Sequence, residues 1–177
     1  DVRAMHLFLT GEKQVGKSTL LRKLLAGLGE TAPGGFFSVT AADIPGAVGS
    51  VYLIPAGDPA PAYEDENRVG IRYGPGRGRE SFPQVFDAYG LRLLEGAESA
   101  RLLVMDEIGA MEESALKFCR RVEELLDGHV PILGVVQKQG DTPLQTAIRR
   151  HPAVRLAEVT PENRDSLLPL LLPLIQL

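Results

Sequence analysis

The sequence predicts an α/β fold, a three-layer α/β/α sandwich around a mainly parallel sheet. Two observations carry that expectation. Short apolar runs recur without the polar alternation of a half-solvated strand, the pattern of strands buried on both faces. Helix-like stretches separate them, as right-handed crossovers between parallel strands require.

In chain order, His6-Leu7-Phe8-Leu9-Thr10 is the first apolar run, ended by Gly11. Lys17 to Leu28 reads as a helix: Leu20, Leu21, Leu24, Leu25 and Leu28 form one stripe, and Gly29 stops it. Gly35 to Thr40 and Ala47 to Ile54 are expected as two strands joined by a turn at Pro45-Gly46. Pro55 to Arg79 is rich in Pro, Gly and charge. It reads as a long loop insertion holding one short strand, Arg68 to Tyr73. Phe82 to Gly96 looks helical. Arg101 to Met105 is a buried-strand run ending at Asp106-Glu107. Glu112 to Leu126 is an amphipathic helix, with Ala115, Leu116, Cys119, Val122 and Leu126 expected inward. Val130 to Val136 and Val154 to Val159 are the last strands. Thr142-Pro143 and Thr160-Pro161 each set a hydroxyl N-cap before a proline at the first helical position, so a helix is expected after each. With no internal repeat or low-complexity tract, residues 1–177 are expected to form one domain.

At 177 residues the chain can bury a core without disulfides or metals. Its 44% hydrophobic and 24% charged residues exclude the disordered and fibrous classes. A net charge of −4 argues against nucleic acid as a partner, because binding a phosphate backbone needs a basic surplus. A nucleotide needs only a few local donors. The single cysteine, Cys119, permits no internal disulfide, which fits a reducing compartment. The opening Asp1-Val2-Arg3-Ala4-Met5 shows no signal-peptide pattern. Leu167 to Leu177, broken by Pro169 and Pro173, is too short for a membrane span. A cytoplasmic location without a membrane partner is therefore expected. The oligomeric state is left open.

The chemistry concentrates in Gly11-Glu12-Lys13-Gln14-Val15-Gly16-Lys17-Ser18, which matches G-x-x-x-x-G-K-[ST] in full. The strand before it and the helix after it supply the context that the motif needs. Its glycines let the backbone turn tightly and aim successive N–H groups inward as an anion nest. The helix start adds its positive dipole end and its free N–H groups. Gly11, Glu12, Lys13, Gln14, Val15, Gly16, Lys17, Ser18 and Thr19 are thus expected to bind a nucleotide. Lys17 would reach the β- and γ-phosphates, and the Ser18 hydroxyl would hold Mg²⁺. The bland alternative for the bare pattern is a glycine-rich turn that binds nothing.

The second constellation is Leu102-Leu103-Val104-Met105-Asp106-Glu107, in which an apolar strand delivers two carboxylates at its C-terminal end. That edge is where ligands sit in open α/β sheets. Asp106 is placed to hold Mg²⁺, and Glu107 to orient or deprotonate the water attacking the γ-phosphate. Such a pair alone often just ends a strand in solvent. Downstream of a phosphate loop, both motifs end strands on one sheet edge. A base beside the magnesium aspartate suits hydrolysis; a nucleotide kinase, whose acceptor is another phosphate, does not need one there.

At these motifs the chain resembles the small P-loop nucleoside-triphosphatase family known from thermophilic microbes and from a human cancer-related member. The resemblance rests on His6 to Leu21, on Gly34-Gly35-Phe36-Phe37, on Asn67-Arg68-Val69-Gly70, on Val104 to Glu112 (VMDEIGAME, against D-E-I-G-x-M-E) and on Glu158 to Leu168 (EVTPENRDSLL). It implies a RecA-like α/β/α fold with an added hairpin. It also implies slow hydrolysis of nucleoside triphosphates to diphosphate and phosphate, with loose choice of base. Gly11 to Ser18 would bind phosphates, and Asp106 and Glu107 would serve metal and water. Three departures from the family pattern stand out: Gln14 stands at a usual glycine, Ala110 at a common lysine, and Ser38 to Ala42 lack the usual charges.

Smaller signals remain. Asn163 and Arg164 follow the last strand and are candidates for a base or ribose contact. Arg149, Arg150 and Arg164 are candidate arginine fingers, against a reading as solvated helix residues. Gln137 and Lys138 end a strand on the ligand edge and are candidate γ-phosphate sensors or plain loop residues. His6, His129 and His151 share no metal-ligand spacing, and Cys119 reads as core rather than nucleophile. Gly74 to Arg79 reads as an exposed loop, or as a basic lid. The leading function is a Mg²⁺-dependent triphosphatase acting on ATP or GTP. A nucleoside or nucleotide kinase and a nucleotide-dependent switch are the alternatives.

Overall fold

The computed structural model describes residues 5–58, 60 and 62–177. The expectations that fall on Asp1 to Ala4, and on Pro59 and Pro61 of the long insertion, lie outside the described residues. β1 (His6–Thr10) leads to α1 (Lys17–Gly27), then to β2 (Gly34–Ala41), β3 (Gly49–Pro55), β4 (Arg68–Gly74) and β5 (Gly78–Ser81). A broken helix follows: α2 (Pro83–Val85) and α3 (Leu91–Leu93), joined by a π turn at Phe86–Gly90. β6 (Leu103–Ile108), α4 (Leu116–Leu126), β7 (Ile132–Val136), α5 (Pro143–Arg150), β8 (Val154–Glu158) and α6 (Arg164–Leu171) complete the fold.

One sheet runs in the order β5-β4-β3-β2-β6-β7-β1-β8. The five strands from β2 to β8 in that order pair parallel, and β3, β4 and β5 extend it antiparallel from β2. Period-two alternation sorts the core into two layers. Leu7, Leu9, Leu102 and Val104 meet Leu20, Leu21, Leu24 and Leu25 of α1 and Leu171 of α6. Phe8, Leu103 and Met105 meet Phe86, Phe118, Val122, Leu125 and Ile148 from the helices of the other face. Each such buried side chain contributes about 1.5–3 kcal/mol of transfer free energy. Phe118 is the hub of its layer, with ring centroids 5.6 Å from Phe36 and 5.2 Å from Phe86. The expected three layers are present. Among the described residues, no helix is long and apolar enough to cross a membrane.

Several local expectations need correction. The segment Phe82 to Gly96 is helical over residues 83–93, as expected, but with a π turn at Phe86–Gly90 in its middle, and it ends in turns before Gly96. Gly90 lies against the Phe118 ring, where a Cβ would come within 2.7 Å of a ring carbon. The helix expected from Glu112 starts at Leu116, because Met111 to Ser114 form turns that bury Glu112. That start shifts the helix face: Leu116 is 67% exposed, and Phe118 and Leu125 take core positions. Gly74 to Arg79 is neither lid nor plain loop, since it turns the β4–β5 hairpin and begins β5. Thr142 caps α5 as expected: its hydroxyl accepts from the Gln145 N–H (3.2 Å), and the Gln145 side chain accepts from the Thr142 N–H (3.1 Å). Thr160-Pro161 opens only a turn, and α6 begins at Arg164. His6 is wholly buried and structural, its two ring nitrogens facing the Leu126 carbonyl (2.8 Å) and the Ile132 N–H (3.0 Å).

Candidate active site

Because β6, β7, β1 and β8 are parallel, the turns after them share one edge of the sheet. Val135 of β7 is in register with Leu9 on one side and Asp106 on the other. The phosphate loop after β1 and the acidic pair on β6 therefore stand two strands apart, roughly 10 Å at the spacing of strands in a sheet.

The loop's shape follows from its glycines. Gly11 has φ +148°, and a Cβ there would lie 2.4 Å from the Val159 carbonyl oxygen, so no other residue fits without moving β8's end. Gly16, at φ +99°, is the N-cap of α1, and no side chain caps that helix start. Its first-turn N–H groups are left for an anion. Gln14 adopts φ 60°, a left-handed conformation that glycine takes without cost. The Lys17 ammonium donates to the carbonyls of Gly11 (2.6 Å) and Glu12 (3.1 Å). Burial lowers its pKa, and the carboxylates of Glu107, Asp106 and Glu12 oppose that shift. Glu12, Lys13, Gln14, Ser18 and Thr19 are exposed, whereas Val15 packs inward.

Alternation also separates the roles of the two acids. Asp106 continues the Leu102 and Val104 row toward α1, with 2% of its surface exposed. Burial pushes its pKa up to about 6; the nearby Ser18 hydroxyl and the charges of Arg22 and Lys17 pull down, and Glu107 pushes further up. Asp106 Oδ2 is buried without a hydrogen-bond partner. An orphaned carboxylate oxygen beside a serine hydroxyl is the donor set that suits a magnesium ion completed by phosphate and water.

Glu107 emerges on the other row, where the register with β7 shifts between Asp106 and Ile108. Its Oε1 accepts from Gln137 Nε2 (2.8 Å) and Arg72 Nη2 (3.1 Å). Ser38 fixes its backbone: the hydroxyl accepts from the Glu107 N–H (3.1 Å) and donates to the Asp106 carbonyl (2.9 Å). Gln137 also accepts from the Ala110 N–H (3.2 Å), so it spans from the D-E-I-G turn to the acid.

The remaining sequence candidates divide. Gln137 is at the site. Lys138 is paired to Glu12 (3.3 Å) and Glu158 (3.2 Å), tying the phosphate loop to β8. Arg149 is not positioned as a finger: it donates to the carbonyls of Gln137, Lys138 and Gly140 and holds that loop in shape. Arg150 is exposed at the end of α5. The Asn163 side chain is committed to its own turn, accepting from the Thr160 N–H (2.8 Å) and donating to the Glu158 carbonyl (2.9 Å). Arg164 lies against the phosphate loop, its Cδ 3.7 Å from where a Gly16 Cβ would stand. Cys119 is a core thiol, its pKa pushed up to about 12 by burial.

Sequence reasoning missed Arg72, Ser38, Arg22 and Glu112. Arg22 lies over the Phe37 ring at 3.9 Å, close enough to Asp106 to favour its charged form. Glu112 is 2% exposed and accepts from the Gly109 N–H; burial pushes its pKa up to about 8. Its place at the end of the D-E-I-G-x-M-E signature was the available signal for it. Arg72 carried none, because its role depends on how β4 is placed in space.

The chain is similar to known proteins over nearly its whole length. The model of the family described as NTPase matches residues 6–172. The nucleoside-triphosphatase THEP1 of Aquifex aeolicus (strain VF5) is 29% identical, over 97% of this chain and 99% of its own. The human cancer-related nucleoside-triphosphatase is 30% identical, over 98% of this chain and 97% of its own. The crystal structure of THEP1 from A. aeolicus superposes with a TM-score of 0.76 at 27% identity, covering 98% of this chain and all (100%) of that one. A family model spanning nearly the whole chain, laid over a phosphate loop and an acidic pair on one sheet edge, places the chain in the NTPase family of P-loop enzymes.

Proposed function

We propose that the chain is a Mg²⁺-dependent nucleoside triphosphatase that hydrolyses ATP or GTP to the diphosphate and phosphate, acting in the cytoplasm. The observation that carries this reading is the convergence of Lys17, Asp106 and Glu107 on one edge, close enough for both acids to act on the lysine's charge. The main-chain N–H groups from Gly11 to Thr19 would cradle the phosphates, and Lys17 would leave its carbonyl partners for the β- and γ-oxygens. Ser18 and Asp106 would hold magnesium, which when bound neutralises charge on the β- and γ-phosphates. Arg164, beside Gly16, is the candidate for contact with the nucleoside; Asn163 would support it through the turn that it caps.

Glu107 is fixed by Gln137, Arg72 and Ser38, and its charge acts on Lys17. It would orient a water for attack on the γ-phosphorus. The new P–O bond forms as the bond to the β,γ-bridging oxygen breaks, the electron pair leaves with the diphosphate, and the water's proton passes to the carboxylate. The test is phosphate release from Mg-ATP and Mg-GTP without any acceptor. Release that stops on chelation of magnesium is expected. Strict dependence on a phosphate acceptor would make the protein a kinase instead, and tight binding with negligible turnover would make it a switch.

A further inference from the structure

We propose that Arg72 is a catalytic residue: when a triphosphate binds, its guanidinium exchanges the Glu107 carboxylate for a γ-phosphate oxygen and neutralises the charge that develops there. The inference rests on the triphosphatase reading above. Arg72 comes from β4, three strands from β6 in the sheet. Three strand spacings are about 14 Å. Only a long side chain met by another from β6 closes that gap, which Arg72 Nη2 and Glu107 Oε1 do at 3.1 Å.

Among the described residues Glu107 is the sole side-chain partner of Arg72, so most of its donors are uncommitted. The pair is open to the edge, the Arg72 side chain 37% exposed and Glu107 22%. The guanidinium can therefore swing without unpacking the core. Gln137 keeps its own bond to Glu107 when it does, so the acid stays aimed. Four other cations near the edge are otherwise placed. Arg149 holds three carbonyls, Lys138 is paired twice, Arg22 is stacked on Phe37, and Arg164 lies by Gly16 rather than by Glu107. A triphosphate brings several negative charges to a site whose two acids face one lysine. A delocalised, always-charged fork beside the water-orienting acid is the group suited to that surplus. The exchange moves no covalent bond. It leaves the water's proton to Glu107 and the leaving electron pair to the diphosphate, as above.

The test compares magnesium-bound diphosphates with β,γ-imido triphosphates of adenosine and guanosine. Binding and turnover are measured for the parent, Arg72→Ala, Glu107→Ala and the double variant. Arg72→Ala is expected to leave diphosphate affinity within about twofold, which also shows that it folds, and to weaken triphosphate affinity about tenfold or more. Its kcat should fall about 10³-fold, with KM rising in step with the weakened triphosphate affinity. The loss of triphosphate affinity should persist when Arg72→Ala is added to Glu107→Ala. If it vanishes in that background, Arg72 acts only by holding Glu107, and the proposal is overturned. An unchanged ratio of triphosphate to diphosphate affinity overturns it as well. Should Arg72→Ala lose diphosphate binding, Arg72→Gln carries the same comparison. A parent that binds triphosphate but releases no phosphate sinks the triphosphatase reading, and this one with it.

Discussion

On either side of β2 the sheet makes its contribution to the site in different ways. The parallel side ends its strands in turns whose backbone is shaped for an anion: glycines at Gly11 and Gly16, a helix start at Lys17, a carboxylate on each row at Asp106 and Glu107. The antiparallel side, β3 to β5, ends on that edge in hairpin turns without a helix start behind them. It reaches the site with one side chain, Arg72. Backbone-built function is bound to local sequence, because a tight turn and an anion nest need glycine at fixed spacing. Function delivered by a single side chain is bound to topology and leaves no local mark.

The largest expected effect tests the parallel side. Lys17→Ala removes the ammonium from the phosphate loop and should cut turnover at least about 10³-fold while weakening nucleotide binding. Phosphate release and a binding titration check it; a Lys17→Ala protein with parental turnover would leave the loop without a catalytic role. Next is Glu107→Gln, which keeps the shape and one acceptor oxygen but loses the base. Turnover should fall about 10²- to 10⁴-fold with nucleotide affinity within a few-fold. Full activity in that variant would remove Glu107 from the chemistry and leave Arg72 paired to a bystander.

Much of this was legible before any coordinates, for reasons that differ by segment. The α1 stripe and the β1 and β6 runs could be read because burial on one face, or on both, imposes a period that the sequence must show. The D-E pair could be located but not resolved into two directions. The split comes from strand alternation and a register shift that only pairing reveals. The α4 boundary differs from the expected start at Glu112, because nothing in the local sequence marks that carboxyl as buried. The carboxyl caps the Gly109 N–H and holds the chain in turns until Leu116. The Phe82 to Gly96 segment is helical as its composition suggests, and only its π turn, which ends at Gly90 against Phe118, could not be read. The meander's second hairpin was hidden by its Pro-Gly-rich turn, which looks like a loop until β5 pairs with β4.

Glu112 also supplies a test on the stability of the seam between the two sides, since it lies behind the D-E-I-G turn. Its pKa is raised by burial from 4.5 to about 8. Across that window the folded chain keeps the carboxyl protonated while the unfolded chain releases the proton. Stability contributed by the neutral acid is therefore full below about pH 4.5, declines as pH rises and levels off above about 8. The slope cannot exceed about 1.4 kcal/mol per pH unit for one group. Glu112→Gln keeps an acceptor for the Gly109 N–H and cannot ionise, so it should flatten that decline. Urea unfolding of both proteins between pH 5 and pH 8 measures it, and equal slopes would show that Glu112 ionises alike in both states.

The smallest effect lies inside the backbone-built side, at the one described non-glycine residue with positive φ. Gln14 holds a left-handed conformation at φ 60°, which costs an ordinary side chain about 1–2 kcal/mol relative to the right-handed one. Gln14→Gly removes that cost but adds backbone freedom to the unfolded chain, which returns roughly 0.5–1 kcal/mol. The net expectation is a gain of up to about 1 kcal/mol, read as a raised urea midpoint with an unchanged m-value. Gln14→Val should move the midpoint the other way, because a β-branched residue tolerates positive φ least. The order Gly, Gln, Val follows from backbone geometry alone, with no contact by the exposed side chain needed. A Gln14→Gly protein less stable than its parent would mean that the glutamine side chain holds the turn, and that even here function had passed from backbone to side chain.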